Sequence, residues 1–360
     1  MEGNNSIKSN QLGLLIFITQ TGVGIIMIPS VLAKEVGHDG WISVLITGLG
    51  VILFTILINC LLLRYKDKAI YDINKFIYGK YLGLFLNGLI IIYLLATTVS
   101  EATLFNYFIR LTLLQETPSW ALAPIIILPS FYLVWQGLKP MSRFLFCSVI
   151  GYFIILFFAI ALYKNFRFSF ILPIGEAGID KILISTQTCF MAFIGFETTA
   201  FFYPYIINKE KAMKCSIGAN VMSTLFFLAF VLVATIIFGD ELLSKLVIPF
   251  FSLSRIYNAP ILERVDLYLT SLWFIPLACS MRTYIFAAYD GLQKVFKVKK
   301  NRVSYYLFFI FVLIASCLPR NFNQVITIIG IVNNIGIGVA VFLVLCLVLS
   351  FIRKKGVGTN

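Results

Sequence analysis

The sequence predicts an all-α polytopic membrane protein of ten transmembrane helices, built as two five-helix halves of opposite orientation. Three observations carry that prediction. Of 360 residues, 60% are hydrophobic and 12% charged, with a mean hydropathy of +0.94. Apolar runs of spanning length recur along nearly the whole chain. Two of those runs, the first and the sixth, are interrupted at matching places by glycine-containing motifs, which is the pattern of an inverted repeat with broken helices.

The expected spans are roughly 11–32, 41–63, 82–108, 120–137, 142–163, 182–206, 214–238, 264–290, 304–318 and 323–351. The first half is therefore 11–163, the second 182–351, and 1–360 a single integral membrane domain. Loops of at most about 25 residues are too short to enclose a soluble core.

The first span carries Thr21-Gly22-Val23-Gly24 at its centre and Pro29 beyond it, with no small-residue cleavage pattern of a signal peptide. Glycine weakens a helix interior by roughly 1 kcal/mol relative to alanine, so the pair marks either unwinding or a close helix crossing. Unwound backbone inside a membrane must face protein or a polar cavity. In the third span Tyr93, Thr97, Ser100 and Glu101 share one helical face. The fourth and ninth spans are short; the third, eighth and tenth are long enough to tilt. The fifth, Ser142 to Tyr163, has no central Lys or Asp.

The sixth span contains Gly195-Phe196-Glu197-Thr198-Thr199 halfway along and Pro204 near its end. A carboxyl group at that depth is a functional candidate; the alternative is a neutral acid bonded to a neighbouring helix. The eighth span holds Trp273, Ser280 and Tyr284 on one stripe, Pro276, and Arg282 with no acidic residue a turn away. At 1.5 Å per residue, Glu197 and Arg282 lie about 21 and 26 Å from the outer ends of their spans, a depth at which they could pair. Otherwise Arg282 snorkels to the cytoplasmic headgroups. Polar stripes in such helices serve packing as readily as pocket lining.

The net charge of +13 follows from topology and not from nucleic-acid binding. With the N-terminus inside, nineteen basic residues fall in inner segments and nine in outer ones, so both termini are expected in the cytoplasm. The inner clusters, including Lys66, Lys300, Arg353, Lys354 and Lys355, suit the anionic headgroups of a lipid bilayer. Seven single cysteines without a CxxC read as packing residues, and the lone His38 as a solvated loop residue. With no phosphate loop, HExxH motif or intramembrane histidine, the chain is not expected to be an enzyme, to bind a metal or to carry a cofactor.

Half-helix ends meeting midway offer free N–H groups near Gly22 and Gly24 for a carboxylate and carbonyls near Gly195 for an ammonium group. An amino-acid zwitterion fits that pair of charges. Gly-x-Gly followed by Met27-Ile28-Pro29, with the later Gly195-Phe196-Glu197, resembles the amino acid–polyamine–organocation transporter superfamily. Asp39-Gly40-Trp41, Glu116-Thr117-Pro118, Glu263-Arg264 and the run Ala287-Ala288-Tyr289-Asp290-Gly291-Leu292-Gln293-Lys294 are similar, more narrowly, to the B-subunit of endospore germinant receptors, the spore germination permease family. The similarity spans the chain.

That resemblance implies a LeuT-like fold with helices 1 and 6 broken and pocket-facing positions at Gly22, Tyr93, Thr97, Ile194, Phe196 and Ser280; the break motifs themselves add Thr21, Gly24 and Gly195 to the expected ligand site. Thr97 and Ile194 would gauge side-chain size and Phe196 would act as a lid. It implies a small nutrient, an amino acid by its charges, as ligand, with an A-subunit and a C-subunit lipoprotein as partners. The expected location is the inner membrane of a bacterial endospore. A sensor of that nutrient and a proton- or sodium-coupled amino-acid transporter both fit these residues.

Overall fold

The computed structural model describes residues 6–65, 68–256, 264–299, 301–319 and 321–352. Lys66, Glu263, Lys300, Arg353, Lys354 and Lys355 lie outside that set. Helices account for nearly all of it, in the order α1 (Ser9–Gly24), α2 (Ile28–Val36), α3 (Gly40–Arg64), α4 (Ile70–Tyr78), α5 (Lys80–Thr112), α6 (Ser119–Trp135) and α7 (Leu138–Ala161). There follow α8 (Ile179–Cys189), α9 (Thr198–Phe202), α10 (Ala212–Lys245), α11 (Pro249–Ile256), α12 (Val265–Phe296), α13 (Arg302–Cys317) and α14 (Phe322–Ile352). Such apolar runs fold as helices because lipid offers no partner to the backbone, so each N–H and C=O must be paired within the segment.

Six helical segments among the described residues are long and apolar enough to cross a membrane, and α6 and α13 are shorter apolar helices. Their flanks carry large apolar side chains into the surroundings: Leu49 is 68% exposed, Phe85 63% and Phe157 74%. Apolar surface on that scale suits hydrocarbon and not water, and the chain is an integral membrane protein. Pro124 and Pro129 lie inside α6, where each removes a backbone donor. The corner into α7 is made at Gly137, whose φ of 106° a side chain would oppose.

The inner helices are α1, α5, α10 and α12, with α3 packed on α10. Both expected interruptions are present. The first falls one turn later than the glycine pair suggested: helical bonding runs through Gly24 and the irregular stretch is Ile25–Met27. Pro29 accounts for this, since its ring would clash with the carbonyl four residues back, that of Ile25. The second interruption runs from a tight turn at Phe190–Phe193 through the non-helical residues 194–197, with Gly195 at φ 130°.

At one end of the molecule the segment before α1 is stitched to the segment after α9. Ile7 donates its N–H to the Tyr205 carbonyl (2.9 Å) and accepts from the Ile207 N–H (3.0 Å). Ser9 donates its N–H to Asn208 Oδ1 and its hydroxyl to the Asn208 carbonyl. At the other end Asp39 accepts from the N–H groups of Gly175 (2.8 Å) and Ala177 (3.0 Å). His38 is not the solvated residue expected: it is 8% exposed, and its Nε2 lies 2.6 Å from the Pro173 carbonyl. The seven cysteines are all free, and Cys189, Cys279 and Cys346 are buried, whereas Cys60 and Cys147 face outward.

Candidate functional site

The second interruption lies against the last turns of α1, just before the first. A Cβ added at Gly24 would stand 2.7 Å from the Ala192 carbonyl oxygen, and one at Gly195 would stand 3.0–3.1 Å from Thr19 and Gln20. Contacts this close are possible only because both positions lack side chains. Gly195 also needs its glycine for conformation, because few L-residues tolerate φ of 130°.

Glu197 holds the second break open. Its Oε1 accepts the hydroxyls of Tyr93 on α5 and Tyr284 on α12, each at 2.8 Å. Its Oε2 accepts the Gly195 N–H at 2.8 Å. The carboxyl group, 2% exposed, thus replaces the helical partner that the unwound Gly195 amide has lost. Thr198 and Thr199 return their hydroxyls to the carbonyls of Gly195 and Phe196, which satisfies the acceptors of the same turn.

The expected charge pair between Glu197 and Arg282 is not formed. Arg282 turns to the other side of α12, where its Nε donates to Ser130 Oγ (3.3 Å), its Nη1 to Cys279 Sγ (3.7 Å), and its guanidinium lies 4.5 Å from the Phe144 ring centre. Matching depth along two helices does not set rotation about them: Tyr284, two residues on, occupies the face that Glu197 sees. Arg282→Ala and Glu197→Gln are therefore expected to act independently. Their effects on thermal unfolding should add within about 0.5 kcal/mol in a double-mutant cycle.

The other expected site residues divide between the breaks and the surrounding packing. Tyr93, Gly195 and Glu197 come together directly. Ile194, half-buried, and Tyr93 both approach Gly336 of α14, where an added Cβ would lie 3.3 Å from the Tyr93 hydroxyl and 3.5 Å from Ile194. Thr97 is buried one turn along α5 and donates its hydroxyl to the Tyr93 carbonyl. Phe196 is buried between Phe54 and Phe190, with ring centres 6.2 and 5.7 Å away. Gly22 lies against α12: a Cβ there would meet Ser280 Cβ at 2.9 Å and the Pro276 carbonyl oxygen at 3.0 Å. Thr21 faces elsewhere, 2.6 Å from the Tyr152 hydroxyl on α7.

Gln20 is the residue the sequence reading missed. Its amide donates to the Phe193 carbonyl (3.0 Å) and to Asn220 Oδ1 (2.7 Å) on α10, and its Oε1 accepts from Ser223. One uncharged side chain thereby joins α1, the second break and α10. Its signal was a lone amide beside the glycine pair, facing Asn220 and Ser223 at i, i+3 spacing. On the flanks, apolar grooves of 240 Å³ between α6 and α13 and of 500 Å³ between α5, α13 and α14 touch neither break.

Comparison with known proteins gives this arrangement a family. A family model described as spore germination protein matches residues 6–325. The chain belongs to the spore germination protein family. It is 27% identical to spore germination protein YndE of Bacillus subtilis (strain 168) over 98% of each chain, and 24% identical to GerQB of Bacillus cereus over 86% of each. Among solved structures it is similar to MhsT, crystallised in complex with L-phenylalanine, with a TM-score of 0.61 at 12% identity over 94% of this chain and 89% of that one. The fold of this family member is therefore the LeuT-like one of transporters with broken first and sixth helices.

Proposed function

We propose that this family member is a nutrient-sensing subunit of a germinant receptor. It would bind a small amino-acid-like ligand between the two breaks and pass the change to an A-subunit and a C-subunit lipoprotein in the inner membrane of the spore. The observation that carries the reading is the packing of the second break, at Ala192 and Gly195, on the last turns of α1 at Thr19, Gln20 and Gly24, just before the first break, with Glu197 tying that second break to α5 and α12. Separating or closing these segments changes several buried hydrogen bonds at once. A ligand seated there would thus have the differential affinity for two states that any switch requires. Gly22 and Gly24 stay helical, so the amides that suit a carboxylate are those that open α2 beyond the first break, and the carbonyls at the second suit an ammonium group. A fold shared with a protein crystallised with L-phenylalanine fits an amino-acid ligand.

The test is binding and uptake by the purified protein in liposomes across a panel of amino acids. Saturable binding of one or a few, without accumulation, is the expected result. Accumulation driven by a proton or sodium gradient would replace the sensor with a coupled transporter, and no saturable binding would remove the ligand site.

A further inference from the structure

Glu101 is a buried carboxyl group with no part in the ligand geometry above. It is 6% exposed, and its Oε2 has no hydrogen-bond partner. Its Oε1 lies 2.7 Å from Ser280 Oγ on α12, and that same hydroxyl lies 3.0 Å from the Thr19 carbonyl oxygen on α1. A serine hydroxyl carries one hydrogen. It cannot be given to Thr19 and to Glu101 at once.

Two proton arrangements follow. With a protonated Glu101, the acid donates to Ser280 and Ser280 donates to Thr19, so an unbroken chain of hydrogen bonds runs from α5 through α12 to α1. With an ionised Glu101, the carboxylate takes the serine hydrogen and the Thr19 carbonyl loses its tie to α12. Among the described residues no Lys, Arg or His bonds to Glu101. The titratable groups facing it are Glu197 of the second break and Tyr284 of α12, while Arg282 on the same helix is turned to Ser130 and Phe144. A carboxylate buried without a cation is costly, and a neutral acid avoids that cost. The tie sits in the last turns of α1, before the first break, and Ser280 Cβ is also the atom against which Gly22 packs.

We propose that Glu101 is a proton-binding site, and that the proton it holds fastens α1 to α12 through Ser280 and Thr19. Losing the proton frees the last turns of α1, ahead of its break, without moving Glu197, so proton occupancy and nutrient occupancy act through different side chains.

Infrared difference spectroscopy of the full-length protein in lipid vesicles tests the proton. The expected spectrum holds a carboxylic-acid carbonyl band that shifts in D2O and titrates with pH. It should be lost in Glu101→Gln, kept in Glu197→Gln and displaced in Ser280→Ala. Hydrogen exchange of α1 peptides, corrected for intrinsic rates, tests the tie. Ser280→Ala should exchange about fivefold faster, the equivalent of one hydrogen bond of about 1 kcal/mol. Glu101→Gln, whose amide always donates, should exchange independently of pH.

A Glu101→Gln band pattern identical to the parent would overturn the proposal, as would a band abolished by sodium at fixed pH. If Glu101→Gln does not fold, Ser280→Ala decides alone: an unmoved band and unchanged α1 exchange reject the site.

Discussion

Glu197→Ala is expected to lower stability by about 3–5 kcal/mol, the range for removing one member of a buried charged or multiply bonded group. The Tyr93 and Tyr284 hydroxyls and the Gly195 N–H would all lose their acceptor together, inside a region that water does not reach. Glu197→Gln separates the parts. Its carbonyl still accepts both hydroxyls, but its NH2 turns a donor toward the Gly195 N–H, so a loss of about half that size is expected. Tyr93→Phe and Tyr284→Phe each remove one donor and leave the carboxyl its others, for about 1–2 kcal/mol apiece. Thermal unfolding in lipid, together with saturable amino-acid binding, reads the order alanine, glutamine, phenylalanine. A neutral Glu197→Ala, or a Tyr93→Phe as severe, would show that the carboxyl is not what holds the break.

Gly24→Ala is expected to abolish amino-acid binding and to cost about 1–3 kcal/mol, the usual penalty of overpacking. The added methyl meets the carbonyl oxygen, Cα and Cβ of Ala192 at 2.7–2.8 Å, and two of those are backbone atoms with nowhere to move. The end of α1 and the second interruption would have to separate. Gly22→Ala should act similarly but against α12, because Ser280 Cβ and the Pro276 carbonyl oxygen lie 2.9 and 3.0 Å from the new atom. Gly218→Ala and Gly330→Ala are the controls: nothing lies within 4 Å of either, and alanine there should stabilise its helix by up to about 1 kcal/mol. Binding that survives Gly24→Ala with an unchanged melting temperature would mean that the end of α1 does not need to touch the second break.

The sequence disclosed the interruptions because glycine, proline and a carboxyl group stand out against apolar runs. It misplaced the first because glycine has two uses. Gly22 and Gly24 remain helical and spend their missing side chains on close approach to α12 and Ala192, whereas Pro29 does the unwinding. The face Tyr93–Thr97–Glu101 was legible from spacing alone, but what it faces was not. Tyr93 meets Glu197 across 104 positions of chain, and Glu101 meets Ser280 across 179. Arg282 failed as a partner for Glu197 for a related reason: depth can be counted along a helix, while rotation is set by neighbours that the sequence does not name. Gln20 was overlooked because an amide carries no charge to draw attention, although its bonds join three elements.

The stitch of Ile7 to Tyr205 and Ile207 bears on the timing of any response. Its backbone bonds share one residue, and the Ser9–Asn208 bonds follow two residues further along, so they are strained together when the start of α1 swings away. Such a zipper has no comfortable half-open position. Opening is expected as an abrupt step after a waiting time, with individual molecules switching at scattered moments and the population average alone looking gradual.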